Sequence, residues 1–332
     1  MIYLDNAATT RMKPEVRAAM EPFLDREYGN ASSLHAAGRR ARRALEDARE
    51  TVAACLGADP KEILFTAGAT ESNALAILGA AEALRGRADQ VITLEIEHPS
   101  VLEAVARIEQ QGWRVTRVPV DAEGLVDPAS VANAVTPRTA LISVMSLNNE
   151  VGSVQPLAAI RKISPGVVFH TDAAQSAGRI PVSVRDVDLL TFSAHKMHGP
   201  KGVGGLWVRK GTPLSPQLRG GGQEFQKRAG TENIAGIVGL AAAMKLAELG
   251  IDVDLMSLTP VKRSHSVCAQ GGINTVNSTT RQQGDSEWLH FDDTVYGGDF
   301  LQHQPPVKEM TEWGPRIIDL MDRLGVPFNR TS

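Results

Sequence analysis

Cysteine is nearly absent from this chain: Cys55 and Cys268 are the only two in 332 residues. Two thiols cannot build a disulfide framework and cannot by themselves hold a zinc ion. No metal site is expected, therefore, and a reducing cytoplasm is the expected setting. An excess of charge of one sign is also lacking. The 35 lysines and arginines face 38 aspartates and glutamates, a net charge of -3. That balance gives no reason to expect nucleic acid or an anionic membrane as a partner. No uninterrupted apolar run approaches the roughly 18 residues that a membrane helix needs. The opening "MIYLDNAATT" shows no basic-then-apolar leader and enters a strand-like run almost at once. Internal repeats and low-complexity segments are missing too. What is present is 42% hydrophobic and 22% charged residues, enough for a globular protein with a substantial core.

Short β-branched runs alternate with longer helical segments. The helix signals include "PEVRAAMEPFL", "AAGRRARRALEDARETVAACLG" and "ESNALAILGAAEALRG". Between and after them lie the strand candidates "EILFTAG", "QVITLEI", "WRVTRVPV", "TALISVMSL", "VVFHTDA", "VDLLTFSA" and "GGLWVRKG". This alternation predicts βαβ units, an α/β class and a mainly parallel sheet. The basic cluster Arg39–Arg43 is followed by Glu46, Asp47 and Glu50 and reads as a solvated helix face. After about Gly250 the texture turns polar and rich in glycine and glutamine, as in "TVNSTTRQQGDSEW", which marks a domain boundary.

Four constellations fall near the C-terminal ends of predicted strands, the edge where open α/β sheets place ligands. In "TAGATESNALAI" a strand ends, small residues turn, and a helix is predicted to start at about Thr70–Glu71. Its first amides and the Thr70 hydroxyl suit a phosphate, although an ordinary capped turn has the same pattern. In "FHTDAAQSAG" the carboxylate of Asp172 should be partly buried, so it needs a cationic partner. A protonated ring nitrogen or an arginine would serve. His98 in "EHPS" ends a strand, as a ring-stacking group or as a satisfied turn residue. Finally, "TFSAHKMHGPKGVGG" gathers Ser193, His195 and Lys196, with Lys201 five residues on. Together these parts describe a pyridoxal phosphate site: a lysine, an acid for the pyridine nitrogen, a phosphate cradle and a stacking ring.

Residues 1–245 resemble the cysteine desulfurases, pyridoxal phosphate enzymes of the class V aminotransferase fold. The stretches that carry the likeness are "YLDNAATT", "YGNASSLH", "FTAGATESNALAI", "EHPSVL", "NNEVG", "HTDAAQSAG", "FSAHKMHGPKGVG" and "RAGTENIAG". The resemblance implies that Lys196 carries the cofactor as a Schiff base, that Asp172 holds the pyridinium, and that Gln175 bonds the ring hydroxyl. It makes His98 a stacking group and proton shuttle. Ala69, Thr70, Ser193 and His195 would hold the phosphate, and Asn149 would contact the cofactor. Thr231 would reach the phosphate in the other subunit, which implies a homodimer. Lys201 is left to the glycine turn. The implied reaction removes sulfur from L-cysteine, releasing L-alanine and leaving a persulfide for an iron–sulfur scaffold or another sulfur-acceptor protein.

The likeness ends within "GLAAAMKLAELG", residues 239–250. The catalytic-cysteine loop and the carboxylate-binding arginine of the desulfurases have no counterpart in this sequence. Residues 246–332 resemble instead the flavoprotein subunit of succinate dehydrogenase or fumarate reductase, through "VDLMSLTPVKRSHSVCAQGGIN", "HFDDTVYGGDFLQHQPPVKEM" and "LMDRLGVPFNRT". In that family the histidine of "RSHS", here His265, carries the flavin. No G-x-G-x-x-G turn precedes the segment, so FAD is not the expected cofactor. A chimera or a damaged reading frame is expected, with a poorly ordered tail and slow cysteine turnover, since Cys268 is the one thiol there and Cys55 reads as a buried helix thiol. The alternatives are a fragment of a flavin-dependent dehydrogenase and a non-catalytic pyridoxal phosphate-binding protein.

Overall fold

A computed structural model describes Tyr3, residues 5–249 and Ser286. The chain divides into two units, Met1–Val267 and Cys268–Ser332, and the architecture below belongs to the first. The expectations for Cys268, His265 and the flavoprotein-like segment lie outside the described residues.

Seven strands form one sheet: β1 (Ile63–Thr66), β2 (Gln90–Leu94), β3 (Arg114–Val118), β4 (Thr139–Ser143), β5 (Val168–Asp172), β6 (Leu189–Ser193) and β7 (Gly204–Val208). Their order is β1-β7-β6-β5-β4-β2-β3. β7 runs antiparallel to both β1 and β6, while the β6-β5-β4-β2-β3 pairs are parallel. The sheet is thus mainly parallel, as the alternation predicts. Each predicted strand exists, and each is shorter than the apolar run that announced it.

The helices are α1 (Pro14–Leu24), α2 (Ala36–Leu56), α3 (Ala69–Leu84), α4 (Pro99–Gln110), α5 (Pro128–Ala134), α6 (Leu157–Ile163) and α7 (Ile234–Glu248). Proline at the first turn of α1, α4 and α5 presets φ where its missing N–H costs nothing. α2 ends at Gly57, whose φ of 66° lets its N–H close on the last carbonyls. α1, α2 and α7 share one core with Ile92, Leu190 and Phe192. α3 and α4 share the other with Val91, Leu141 and Leu189. Adjacent strand residues therefore enter opposite cores, the consequence of a two-residue period. α3 buries residues on every side, from Ser72 and Asn73 to Leu78 and Ala81, and so holds its N-terminus rigidly against the sheet.

The reversed strand explains where the site lies. Gly204, the first residue of β7, pairs with Thr66 at the end of β1 and with Ser193 at the end of β6. A Cβ on Gly204 would sit 2.6 Å from the Phe192 carbonyl and 2.8 Å from Gly68 Cα. Glycine is what lets the two turns approach this closely.

Three local expectations need correction. α3 starts at Ala69, one residue before the predicted start, because Glu71 reaches back to the Ala67 N–H at 2.8 Å. His98 does not end a strand: β2 stops at Leu94, and His98 caps α4 by accepting the Ser100 N–H at 3.1 Å. The opening residues are not strand-like where described. Residues 6–8 form a turn closed by Ala8 N–H on the Asp5 carbonyl, because Thr10 is drawn onto the His195 carbonyl at 2.9 Å.

Candidate active site

A cleft of about 910 Å³ opens at the C-terminal edge of the sheet. The sequence-predicted residues Ala69, Thr70, His98, Asn149, Asp172, Gln175, Ser193, His195 and Lys196 all line it. Thr231 does not. It is exposed, on the loop that precedes α7. Lys201, assigned from sequence to the glycine turn, lines the cleft as well, next to Gly202.

β5 delivers Asp172 to the floor, where it is 5% exposed. Its Oδ2 accepts from Asn73 Nδ2 at 2.7 Å, and its Oδ1 from the Ala174 N–H at 2.9 Å. No arginine is among these partners. Burial raises the Asp172 pKa above the ordinary carboxylate range, and the two hydrogen bonds with nearby His98 and Lys196 oppose that rise. A cation placed against it would make the charged form the stable one.

β6 ends in Ser193, and a short turn over Ala194–Lys196 follows. Lys196 is half-buried, and its Nζ donates to the Ala7 carbonyl. Burial and the neighbouring Arg179 lower its pKa, against the pull of Asp172, Asp5 and Glu150. A lysine so placed releases its proton more easily than an exposed one, which a nucleophilic amine requires. His195 is pushed down likewise, by burial and by Lys196 and Lys201. Its Nδ1 lies 3.2 Å from Thr9 Oγ1. Ser193 Oγ is buried with no partner among the described residues.

Of the two roles the sequence left open, the structure shows His98 in that of a satisfied turn residue. Its Nδ1 is tied to the first turn of α4, and the ring lines the cleft. Gln175 Nε2 donates to the Ala7 carbonyl at 2.8 Å, and Asn149 Nδ2 to Glu150 Oε1 at 2.7 Å.

Sequence reasoning missed four further residues. Asn73 donates to Asp172 from the start of α3, where it directly follows Thr70, Glu71 and Ser72, so its polarity alone did not single it out. Arg179 spans Gln175 Oε1 at 3.0 Å and the carbonyls of Asn6 and Lys196 at 2.8 Å each. Glu97 is 4% exposed and accepts the Met145 N–H at 2.7 Å. Burial, with Asp172 beside it, pushes its pKa well above the carboxylate range. Glu71 also lines the cleft.

The profile of class-V aminotransferases matches residues 2–264. The chain belongs to that family. A cysteine desulfurase of Dictyoglomus turgidum, IscS, is 49% identical over 265 residues, which are 79% of this chain and 67% of that protein. A cysteine desulfurase of Cereibacter sphaeroides is 48% identical over 252 residues, 74% of this chain and 65% of the relative. The chain thus spans about two thirds of the length of these relatives. Among solved structures, a NifS-like protein superposes with a TM-score of 0.72 at 44% identity, covering 74% of this chain and 69% of its own. SspA in complex with cysteine gives 0.72 at 40% identity, covering 74% and 72%. This class-V aminotransferase chain also matches an FAD binding domain profile over residues 235–332. The two matches overlap over residues 235–264. Among the described residues no helix is long and apolar enough to cross a membrane.

Proposed function

We propose that the cleft binds pyridoxal phosphate and that the chain acts there on L-cysteine, as a member of the desulfurase branch of its family. The observation that carries this reading is the co-location of Lys196, Asp172 and the unpartnered Ser193 hydroxyl in one cleft. The donor set fits the cofactor: an amine to hold its carbonyl carbon, a buried carboxylate for its ring nitrogen, and orphan donors for its phosphate. Lys196 holds the group covalently, Asp172 meets the ring nitrogen, Gln175 the ring hydroxyl, and His98 the ring face. Ser193, His195, Thr70 and the Ala69 amide receive the phosphate, Asn149 contacts the group, and Thr231 of a second copy completes the site in a homodimer. Bound there, pyridoxal phosphate supplies a sink for the electron pair left when the Cα–H bond of the amino acid breaks.

The protein's own part is to hold and move protons. Lys196, once its amine is free of the group, would take the Cα proton at Nζ and return it, and burial with Arg179 eases the loss of its own proton. His98, with Nδ1 engaged by α4, exchanges protons through Nε2. A cation facing Asp172 favours its ionised form, so cofactor binding and its charge state are coupled. The sulfur would pass to an attacking thiolate: an S–S bond forms, the C–S bond breaks with its electron pair left on Cβ, Cβ takes up the proton that the thiols give up, and the carbon fragment departs as alanine.

Turnover is proposed to be slow. Cys55 is only half-buried on α2, not the buried thiol expected, and lies outside the cleft; partial burial and Glu248 push its pKa up to about 11. Persulfide transfer to an iron–sulfur scaffold or other acceptor belongs to the same proposal. So does a cytoplasmic setting, where thiols stay reduced. Against FAD stands the placement of "AGIVG" inside α7, after a loop and not after a strand. We also propose the division into a cofactor domain over residues 1–245 and a flavoprotein-like fragment over 246–332.

The test is alanine production from cysteine by the wild type, Cys268→Ser and Lys196→Ala. Slow formation abolished in Lys196→Ala is expected. Formation that survives loss of Lys196 would contradict the reading.

A further inference from the structure

Glu71 presents a puzzle in the cleft. It stands in the first turn of α3, the helix start proposed to receive a phosphate dianion, and it carries the same sign of charge. Its Oε2 accepts the Ala67 N–H at 2.8 Å, which closes the turn and leaves the first amides of α3 to another acceptor. Ser193 Oγ, 1% exposed and unpartnered, lines the same cleft. A bare carboxylate here would oppose any anion that those donors attract.

Arg228 resolves the conflict. Its Nε donates to Glu71 Oε1 at 2.7 Å and its Nη2 to Oε2 at 3.2 Å, a two-point pair with both side chains about one-fifth exposed. The guanidinium does not line the cleft, so it cannot stand in for a phosphate ligand. Its loop is anchored around it. Glu224 accepts from Arg49 at 2.8 and 2.9 Å and from the Phe65 N–H at 2.8 Å. Lys227 Nζ donates to the Leu214 carbonyl at 2.7 Å, and the Gly230 N–H to Gln223 Oε1 at 3.2 Å. Three residues after Arg228 comes Thr231, on the same loop.

We infer that Arg228 is a positioning residue for the anion-binding turn: it neutralises Glu71 and fixes it on the Ala67 amide, so the start of α3 can accept a phosphate monoester. The inference rests on the pyridoxal phosphate reading and adds to it a determinant of phosphate affinity. It also ties the Thr231 loop mechanically to the turn at Gly68.

The experiment compares binding of pyridoxal phosphate with binding of pyridoxal, which lacks the phosphate, by absorbance titration of the apoprotein. Wild type, Arg228→Gln, Glu71→Gln and the double variant are titrated with each. Arg228→Gln is expected to weaken pyridoxal phosphate by about tenfold or more while changing pyridoxal by less than about twofold. Glu71→Gln keeps an acceptor for Ala67 and should bind the phosphate form at least as tightly as wild type. The double variant should return to within about twofold of wild type, because no uncompensated charge remains. Equal weakening of both ligands in Arg228→Gln, or no rescue in the double variant, overturns the inference. Should Arg228→Gln fail to fold, adding it to Glu71→Gln carries the test, and a changed phosphate preference there overturns the inference. A wild type that binds neither ligand overturns the cofactor reading itself, and the inference with it.

Discussion

Asn73 and Asp172 share a 2.7 Å hydrogen bond, in which the amide Nδ2 donates to Oδ2 on the floor of the cleft. The same Nδ2 lies 2.8 Å from Ser100 Oγ, and Ser100 in turn meets Nδ1 of His98. A line of four side chains thus joins α3, β5 and α4 beneath the proposed cofactor. Replacing Asn73 by alanine removes the side-chain amide donor to a buried carboxylate. A loss of about 1.5–3 kcal/mol is expected in denaturant unfolding of the protein at neutral pH. The loss should shrink at acid pH, where Asp172 is protonated, and an equal loss at all pH values would contradict this account of the bond.

His170, in the middle of β5, is fully buried, with Nδ1 2.8 Å from Ser143 Oγ and Nε2 3.1 Å from Thr191 Oγ1. Burial pushes its pKa down from 6.5 to about 3. The folded protein keeps this ring neutral while the unfolded chain protonates it below 6.5. Stability is therefore full above that pH and is lost on acidification toward pH 3. A slope of about 1.4 kcal/mol per pH unit is expected from this group in that window. Chemical unfolding across pH 4–6 should show that slope in the wild type and lose it in His170→Asn.

The alternation of apolar runs made the strands legible, and the small residues around Gly68 marked the turn that lines the cleft. Lys196 and Asp172 were legible because Asp172 closes a strand and Lys196 lies in the short turn after one. Strand order was not, because a two-residue period carries no direction. Nothing in "GGLWVRKG" announces that β7 runs backward between β1 and β6. Arg179 and Asn73 were missed for a related reason: their partners lie 17 and 99 positions away, and only the fold brings them together. His98 was placed at the end of a strand that stops at Leu94, because "EIEH" continues the strand's pattern after its hydrogen bonding has stopped.

Arg49 and Glu224, both nearly inaccessible, form the buried ion pair that anchors the Thr231 loop. The rings of Phe65 and Phe225 lie 4.8 and 5.0 Å from the guanidinium carbon. Residues Glu224, Phe225 and Gln226 all take left-handed backbone angles, with φ of 44°, 55° and 63°. Arg49→Met leaves Glu224 buried without its cation and should cost about 3–5 kcal/mol in urea unfolding. A cost below 1 kcal/mol, on the order of an exposed pair, would show that the pair is not an anchor.

Cys55 offers a check on the thiol assignment. With Sγ 3.6 Å from Glu248 Oε2 and its pKa near 11, it is mostly thiol at neutral pH. Iodoacetamide at pH 7.5 should modify it at least about tenfold more slowly than a free cysteine, and Glu248→Gln should speed the reaction. Rapid labelling of Cys55 in the wild type would contradict the placement.

The central claim is that Lys196, and not Lys201 in the same cleft, holds pyridoxal phosphate. Borohydride reduction of the protein saturated with pyridoxal phosphate, followed by peptide mapping, decides it. The account predicts a phosphopyridoxyl group on the peptide containing Lys196, with none on that peptide in Lys196→Ala. Stoichiometric label on Lys201, or on no lysine of the cleft, would contradict it.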